Sequence, residues 1–314
     1  MTVDVHGLLN ELKASIDLGK CEDLVTLLYR IPHSLNDIIN EEFFDELITA
    51  VKNLEPGILQ VKLLAMLQER ADAKKKLEIR HLLLQKILYL SHKIAASASH
   101  MTRSLVTRYR PGLDEIDVDR TLEEQIGQKT MDEEHIYCHE KVQQKNACVL
   151  MLDVSNSMHQ EKIAVGAIAT GVFASKLKND FHGVLTFANN VTVIKHVNEP
   201  GSLEGLVDRM LDIKSGGATN IRHALLQGLT LLGEAKTAYR TGILVTDGWA
   251  TVGGDPVEVA AKYDRLHVLG ISFGLGGSDP RANRLMAKKG NGRSMYVGSF
   301  EDLPSAITKI LTNR

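Results

Sequence analysis

The stretch NACVLMLDVSNSM, residues 146–158, decides the reading of the chain. Six apolar residues run from Ala147 to Leu152 and stop at Asp153; a polar turn of Asp153, Ser155 and Ser157 follows, and a helical pattern begins near residue 160. An apolar run of strand length that ends in a polar turn and a helix is the opening of a βαβ unit. The same grammar repeats downstream. Strand-like runs fall at 182–188, 191–197, 241–247, 266–273 and 294–298, and amphipathic stretches at 160–178, 202–212, 220–234, 256–264, 280–289 and 301–312 separate most of them. Alternation of this kind implies a doubly wound, mostly parallel α/β sheet with helices on both faces. Asn189-Asn190 is the exception: so short a link suits a hairpin and makes one edge strand antiparallel.

Upstream the pattern differs. Residues 1–100 carry Leu, Ile, Lys and Glu at helical spacing, as in Leu8, Leu9, Leu12 and Ile16, and again in Leu82, Leu83, Leu84, Ile87, Leu88 and Leu90. Breaks at Leu18-Gly19-Lys20, Ile31-Pro32-His33-Ser34 and Glu55-Pro56-Gly57 divide them into about five helices of an all-α domain. Between 101 and 145 lies a connecting arm in which residues 114–134 hold nine acidic side chains against two basic ones. The expected organisation is therefore a helical domain at 1–100, an acidic arm at 101–145 and an α/β domain at 146–314.

Composition narrows the function. Lys plus Arg is 37 and Asp plus Glu 39, a formal charge of −2 that lacks the basic excess of a nucleic-acid platform. Cys21, Cys138 and Cys148 make an odd, scattered set, which points to a reducing compartment. No apolar run reaches membrane-spanning length, and the first residues lack an apolar signal core, so a cytoplasmic location without a membrane span is expected.

The chemistry concentrates at the strand ends. Ligands of open α/β sheets bind at the carboxyl ends of strands, where the strand order reverses. There the alternating Asp153, Ser155 and Ser157 aim three oxygens at one point. Ser215-Gly216-Gly217-Ala218-Thr219 brings in a second loop, and Asp247 closes the run Ile243-Leu244-Val245-Thr246. Five hard oxygens without Cys or His favour Mg²⁺, with Mn²⁺ or Ca²⁺ as alternatives to it. An ion held by neutral hydroxyls, with one corner open, seeks an anionic oxygen from outside, such as an Asp or Glu side chain of another protein.

These three motifs, in this order, resemble the metal-ion-dependent adhesion site of von Willebrand factor A domains over roughly residues 146–314. The resemblance implies that Ser155, Ser157 and Thr219 bind the metal directly and that Asp153 and Asp247 act one shell out or switch between shells. Asn156 stands where glycine is common in the family. Tyr109-Arg110-Pro111-Gly112 with Asp117-Val118-Asp119-Arg120-Thr121-Leu122 is similar to the lead-in of intracellular prokaryotic members, the CoxE-like proteins and the D subunit of magnesium chelatase. That similarity implies an adaptor beside a MoxR-type or chelatase-type AAA+ ATPase, in protein remodelling or metal-cofactor insertion, and not an enzyme.

The rival readings are weaker. A serine hydrolase would need a Gly-x-Ser-x-Gly elbow, which neither Ser155 nor Ser157 has, and His159 and His223 suit solvent-facing or capping roles. There is no P-loop, and Gly274-Leu275-Gly276-Gly277-Ser278 lacks the dinucleotide fingerprint. His135, Cys138 and His139 are three ligands within five residues and have no distant fourth for zinc. A metal-independent scaffold remains the non-enzymatic alternative. Trp249, the sole tryptophan, either anchors a partner or packs its loop on the sheet.

Overall fold

The computed structural model describes residues 41–96, 103–112, 115–125, 135–142, 145–155, 160–271 and 278–312, with positions 11, 14–15 and 26–28 ahead of them. Leu8, Leu9, Leu12 and Ile16, the two breaks before residue 40, and Asn156 to His159 lie outside the described residues, as do 272–277. In chain order the elements are α1 (Glu41–Lys52), α2 (Ile58–Arg70), α3 (Ala73–Ala96), β1 (Arg103–Arg108), α4 (Val118–Gln125), β2 (Tyr137–Val142), β3 (Ala147–Asp153) and α5 (Gln160–Lys176). There follow β4 (Phe181–Phe187), β5 (Val191–Lys195), α6 (Leu203–Leu211), α7 (Ile221–Glu234), β6 (Arg240–Thr246), α8 (Val257–Ala260), β7 (Leu266–Ile271), α9 (Pro280–Lys289), β8 (Ser294–Val297) and α10 (Leu303–Thr312).

The main sheet has the order β5-β4-β3-β6-β7-β8. Every pair is parallel except β4 with β5, so the expected antiparallel edge is β5. From β3 the chain adds β4 and β5 on one side and then crosses to add β6, β7 and β8 on the other. The order thus reverses between β3 and β6, and open α/β sheets take ligands outside the carboxyl ends of strands at such a point.

Strands covered on both faces should read as continuous apolar runs, and β3 does. Cys148, Leu150 and Leu152 enter one core; Ala147, Val149 and Met151 enter the other. The second core is closed by α7, α8 and α9 through Leu225, Val259 and Met286. Tyr263 is buried in it, and its hydroxyl donates to the Leu225 carbonyl at 2.6 Å.

The first core is larger because the N-terminal helices belong to it. Leu63, Leu67, Leu83 and Ile87 of α2 and α3 join Val165, Ile168 and Val172 of α5, Leu206 of α6 and Ile307 of α10 in a single cluster. Residues 1–98 and 146–314 accordingly form one compact unit. Helix α5, expected to be amphipathic, is buried at every position from Ile163 to Ala174. A helix apolar on all sides needs cover on all sides, and α3 supplies part of it. Ser91 Oγ donates to the Ile168 carbonyl at 3.2 Å, and a Cβ on Gly171 would collide with the Ser91 side chain. Polar ties frame this contact: Arg80 bridges Asp208 at 2.7 Å and Asp212 at 2.8 Å, and Lys62 pairs with Glu301.

Residues 99–145, of which 101–145 read from sequence as an acidic connecting arm, are a second unit. In it β1 and β2 pair antiparallel from Arg103↔Val142 to Arg108↔Tyr137, and the Thr121 hydroxyl of α4 accepts the Tyr137 N–H at 2.9 Å. These strands carry too few apolar residues to announce themselves: RSLVTR has four charged or polar residues of six and YCHEKV three.

Candidate functional site

Strand β3 ends at Asp153 because the apolar run ends there, and the carboxylate is nonetheless wholly buried. A buried carboxylate needs donors. Asp153 Oδ1 accepts the Ser155 N–H at 3.0 Å, and Oδ2 accepts the Thr246 hydroxyl at 3.0 Å. Thr246 is the last residue of β6, the strand beside β3, and its Oγ1 in turn accepts the Gly248 N–H at 3.1 Å. One hydroxyl therefore couples Asp153 to the turn that begins with Asp247.

That turn is fixed in two further ways. Asp247 Oδ1 accepts the Trp249 N–H at 2.9 Å, and the Asp247 carbonyl accepts the Asp279 N–H at 2.7 Å. Gly248 has φ of +89°, in the left-handed region that glycine tolerates best. A Cβ there would also stand 2.8 Å from both Asn283 Oδ1 and the Asp279 carbonyl oxygen.

The third loop is bolted to the other two. The Gly216 N–H donates to the Val154 carbonyl at 3.1 Å, which ties the glycine loop to the turn after β3. Thr219 is buried; its N–H donates to Thr251 Oγ1 at 2.8 Å, and its carbonyl accepts the Thr251 N–H at 3.0 Å. Asn220 then caps α7 by accepting the His223 N–H at 3.0 Å. Asp153, Ser155, Thr219 and Asp247 thus lie in three cross-bonded loops on the carboxyl rim of β3 and β6. Ser157 lies outside the described residues. Of the two threonines that hold the loops together, Thr246 enters the sequence reading only as the residue before Asp247, and Thr251 does not enter it. The available signal was a threonine at the buried end of a strand, whose hydroxyl requires a partner.

The electrostatics follow from burial. Desolvation pushes the Asp153 carboxyl up to about 6; its bonds to Ser155 and Thr246 pull against that, and the charge of Asp247 adds to the rise. Desolvation also raises Asp247, against the Trp249 N–H. Among the described residues neither carboxylate pairs with Lys, Arg or His. Two adjacent carboxylates without a counter-charge repel each other and are relieved by a proton or a cation; hydroxyl and carboxylate oxygens are hard donors.

The other sequence candidates separate from this rim. His223 is exposed on the first turn of α7. Cys138 is buried in β2, while the neighbouring His139 places Nε2 3.7 Å from Asp117 Oδ2. Among the described residues no group of three or more His, Cys, Asp or Glu side chains is arranged to hold a metal. Ser278 follows β7 in the chain, and 272–277 lie outside the described residues.

A doubly wound sheet whose strand order reverses between β3 and β6 defines an open α/β domain. The family description of the von Willebrand factor type A domain matches residues 148–309, more than half of the 314 residues, and the chain belongs to that family. Such domains are commonly metal-dependent protein-interaction modules rather than enzymes. Over 116 residues the chain is 31% identical to inter-alpha-trypsin inhibitor heavy chain H3 of Bos taurus, a match spanning 33% of this chain and 13% of that protein. It is similar to a von Willebrand factor type A structure from Catenulispora acidiphila, with a TM-score of 0.46, 15% identity and coverage of 56% of this chain and 43% of the other. A similar structure, of proximal thread matrix protein 1 from the mussel byssus with a zinc-occupied MIDAS motif, has a TM-score of 0.46, 18% identity and coverage of 54% and 47%. Among the described residues no helix is long and apolar enough to cross a membrane.

Proposed function

We propose that this module holds one divalent cation, Mg²⁺ in preference to Mn²⁺ or Ca²⁺, and takes an Asp or Glu side chain of a protein partner on it. Ser155, Ser157 and Thr219 would supply hydroxyl oxygens, and Asp153 and Asp247 the negative charge. The cation would supply the attraction for the partner's carboxylate. The observation that carries this reading is the approach of Asp153 and Asp247 from neighbouring strand ends, linked through Thr246 and joined by no basic side chain among the described residues. Ser157 enters through its spacing from Asp153 and Ser155 alone.

The finer reading is an intracellular adaptor beside a MoxR-type or chelatase-type AAA+ ATPase. It rests on the segments Tyr109 to Gly112 and Asp117 to Leu122. Copurification of such an ATPase with the intact chain from its own cells would support it, and its absence under Mg²⁺ and ATP would oppose it.

The central test is thermal. A ligand that binds only the folded state at about 100 times its Kd adds about 2.7 kcal/mol of stability. Mg²⁺ should therefore raise the unfolding midpoint of the wild-type chain and leave that of Asp153→Ala/Asp247→Ala unmoved, with both giving the same far-ultraviolet circular dichroism. Capture of acidic partners should fall in EDTA. An equal Mg²⁺ response in the double variant, or capture undiminished by EDTA, would defeat the proposal and leave a metal-independent scaffold.

A further inference from the structure

Trp249 follows Asp247-Gly248 directly and is 51% exposed, so about half of the residue stands open to solvent. Val252, three residues on, is 39% exposed. An exposed indole is ordinarily unremarkable, but this one stands on a fastened loop. Its own N–H is held by Asp247 Oδ1; Thr251 and Val252 donate their N–H groups to the Thr219 carbonyl at 3.0 and 3.3 Å. Gly253 has φ of +94°, and a Cβ there would collide with Asn220. The loop is thus pinned to the Thr219 loop at its middle and to β6 at its start. A rigid aromatic side chain held out to solvent loses little entropy when a partner covers it.

The charges of the rim point the same way. Lys214 precedes the Ser215 to Thr219 loop and Arg222 sits in the first turn of α7, its stem facing Gly254; Arg281 sits in the first turn of α9, whose cap, Asp279, binds the Asp247 carbonyl. None of the three forms an ion pair among the described residues. Two acids nearby are engaged by backbone donors: Asp255 accepts the Val257 N–H, and Asp279, the cap of α9, accepts those of Arg281 and Ala282. Among the described residues, Lys214, Arg222 and Arg281 thus offer this rim positive charge that no carboxylate pairs with.

We infer that Trp249 and Val252 form the apolar half of the recognition surface. The occupant is a peptide segment in which an Asp or Glu is followed by a bulky apolar residue. The acid goes to the cation, and its apolar neighbour goes to the indole. This rests on the cation reading above and adds to it the sequence class of the partner.

The sole tryptophan is its own reporter. The full chain in Mg²⁺ is titrated with three fluorescein-labelled peptides that differ at one dipeptide, Asp-Leu, Asp-Gly or Asn-Leu. Affinity is read by anisotropy, and Trp249 emission is read with the unlabelled peptides. Asp-Leu is expected to bind about tenfold tighter than Asp-Gly and to shift Trp249 emission to the blue. Trp249→Ala brings Asp-Leu down to the Asp-Gly level, and Trp249→Phe keeps most of the preference. Mg²⁺-dependent binding of Asp-Leu and Asp-Gly with equal affinity, or with unmoved emission, overturns this inference and leaves the cation reading standing. Binding indifferent to EDTA, equal binding of Asn-Leu, or no binding of any peptide overturns both.

Discussion

Thr246 shows how much of the site rests on side chains that would never touch a ligand. Its hydroxyl donates to Asp153 and accepts from the Gly248 N–H, so it sets the distance between two strand ends. Thr246→Val keeps the shape but removes both bonds, leaving Asp153 with one donor fewer in a buried place. We expect a loss of about 1–3 kcal/mol and weaker Mg²⁺ binding, checked by urea unfolding and by the Mg²⁺ shift of the melting midpoint. Gly248→Ala should act on the same turn by another route. At φ of +89° with Asn283 and Asp279 in the way, a methyl group has to displace the Asp247 turn, at a cost of about 1–3 kcal/mol. Asp153, Ser155, Thr219 and Asp247 could be read from sequence because oxygen donors at strand ends stand out against apolar runs. Thr246 offered only the weak signal of a hydroxyl at a buried strand end and Thr251 none, since only the fold brings them to Asp153 and Thr219.

Among the elements, β3 and α9 match their sequence runs to the residue, whereas α5 misleads. Its apolar residues AVGAIATGVFA, 164–174, offer no polar face, so the missing information is what covers the side away from the sheet. Part of the cover is α3, from a segment read as a separate domain, and no local periodicity can announce a contact across 77 residues. Gly171→Val should push Ser91 away and cost about 1–3 kcal/mol by overpacking, seen as a lower thermal midpoint with the Mg²⁺ response retained. Strand β4 carries a pH-dependent element. Burial lowers the pKa of His182 below its ordinary value, and the charge of Lys195 lowers it further, against the Asp180 carbonyl and carboxylate; the ring also meets Phe173 edge-on at 6.1 Å. A folded-state pKa below the unfolded one means that the unfolded chain takes up the proton first. Stability contributed by neutral His182 is therefore full above about pH 6.5 and is lost as the pH falls through and below that value. His182→Gln should flatten that part of the profile in denaturant titrations between pH 7.5 and 5.

At the scale of the molecule, the sheet and its helices followed from alternation, but the way the chain is partitioned did not. The unit formed by 1–98 and 146–314 is interrupted by 99–145, so the chain leaves its core and returns to it. A single cut within 99–145 should leave two fragments that co-elute on gel filtration and part only in denaturant. A chain begun at residue 146 should fare worse. It would bare Val165, Ile168 and Val172, each worth about 1.5–3 kcal/mol when covered, and should bind the dye ANS and aggregate.

The contact of Ser91 with Ile168 also sets a timetable for the growing polypeptide. The first helices leave the ribosome with their oily side bare, and 77 residues separate the serine from its acceptor. At about 5–20 residues per second the wait lasts about 4–15 seconds, long enough for a holdase to matter. Slowing translation within codons 99–145 should prolong that wait and raise the insoluble yield, although no residue of the finished protein has changed.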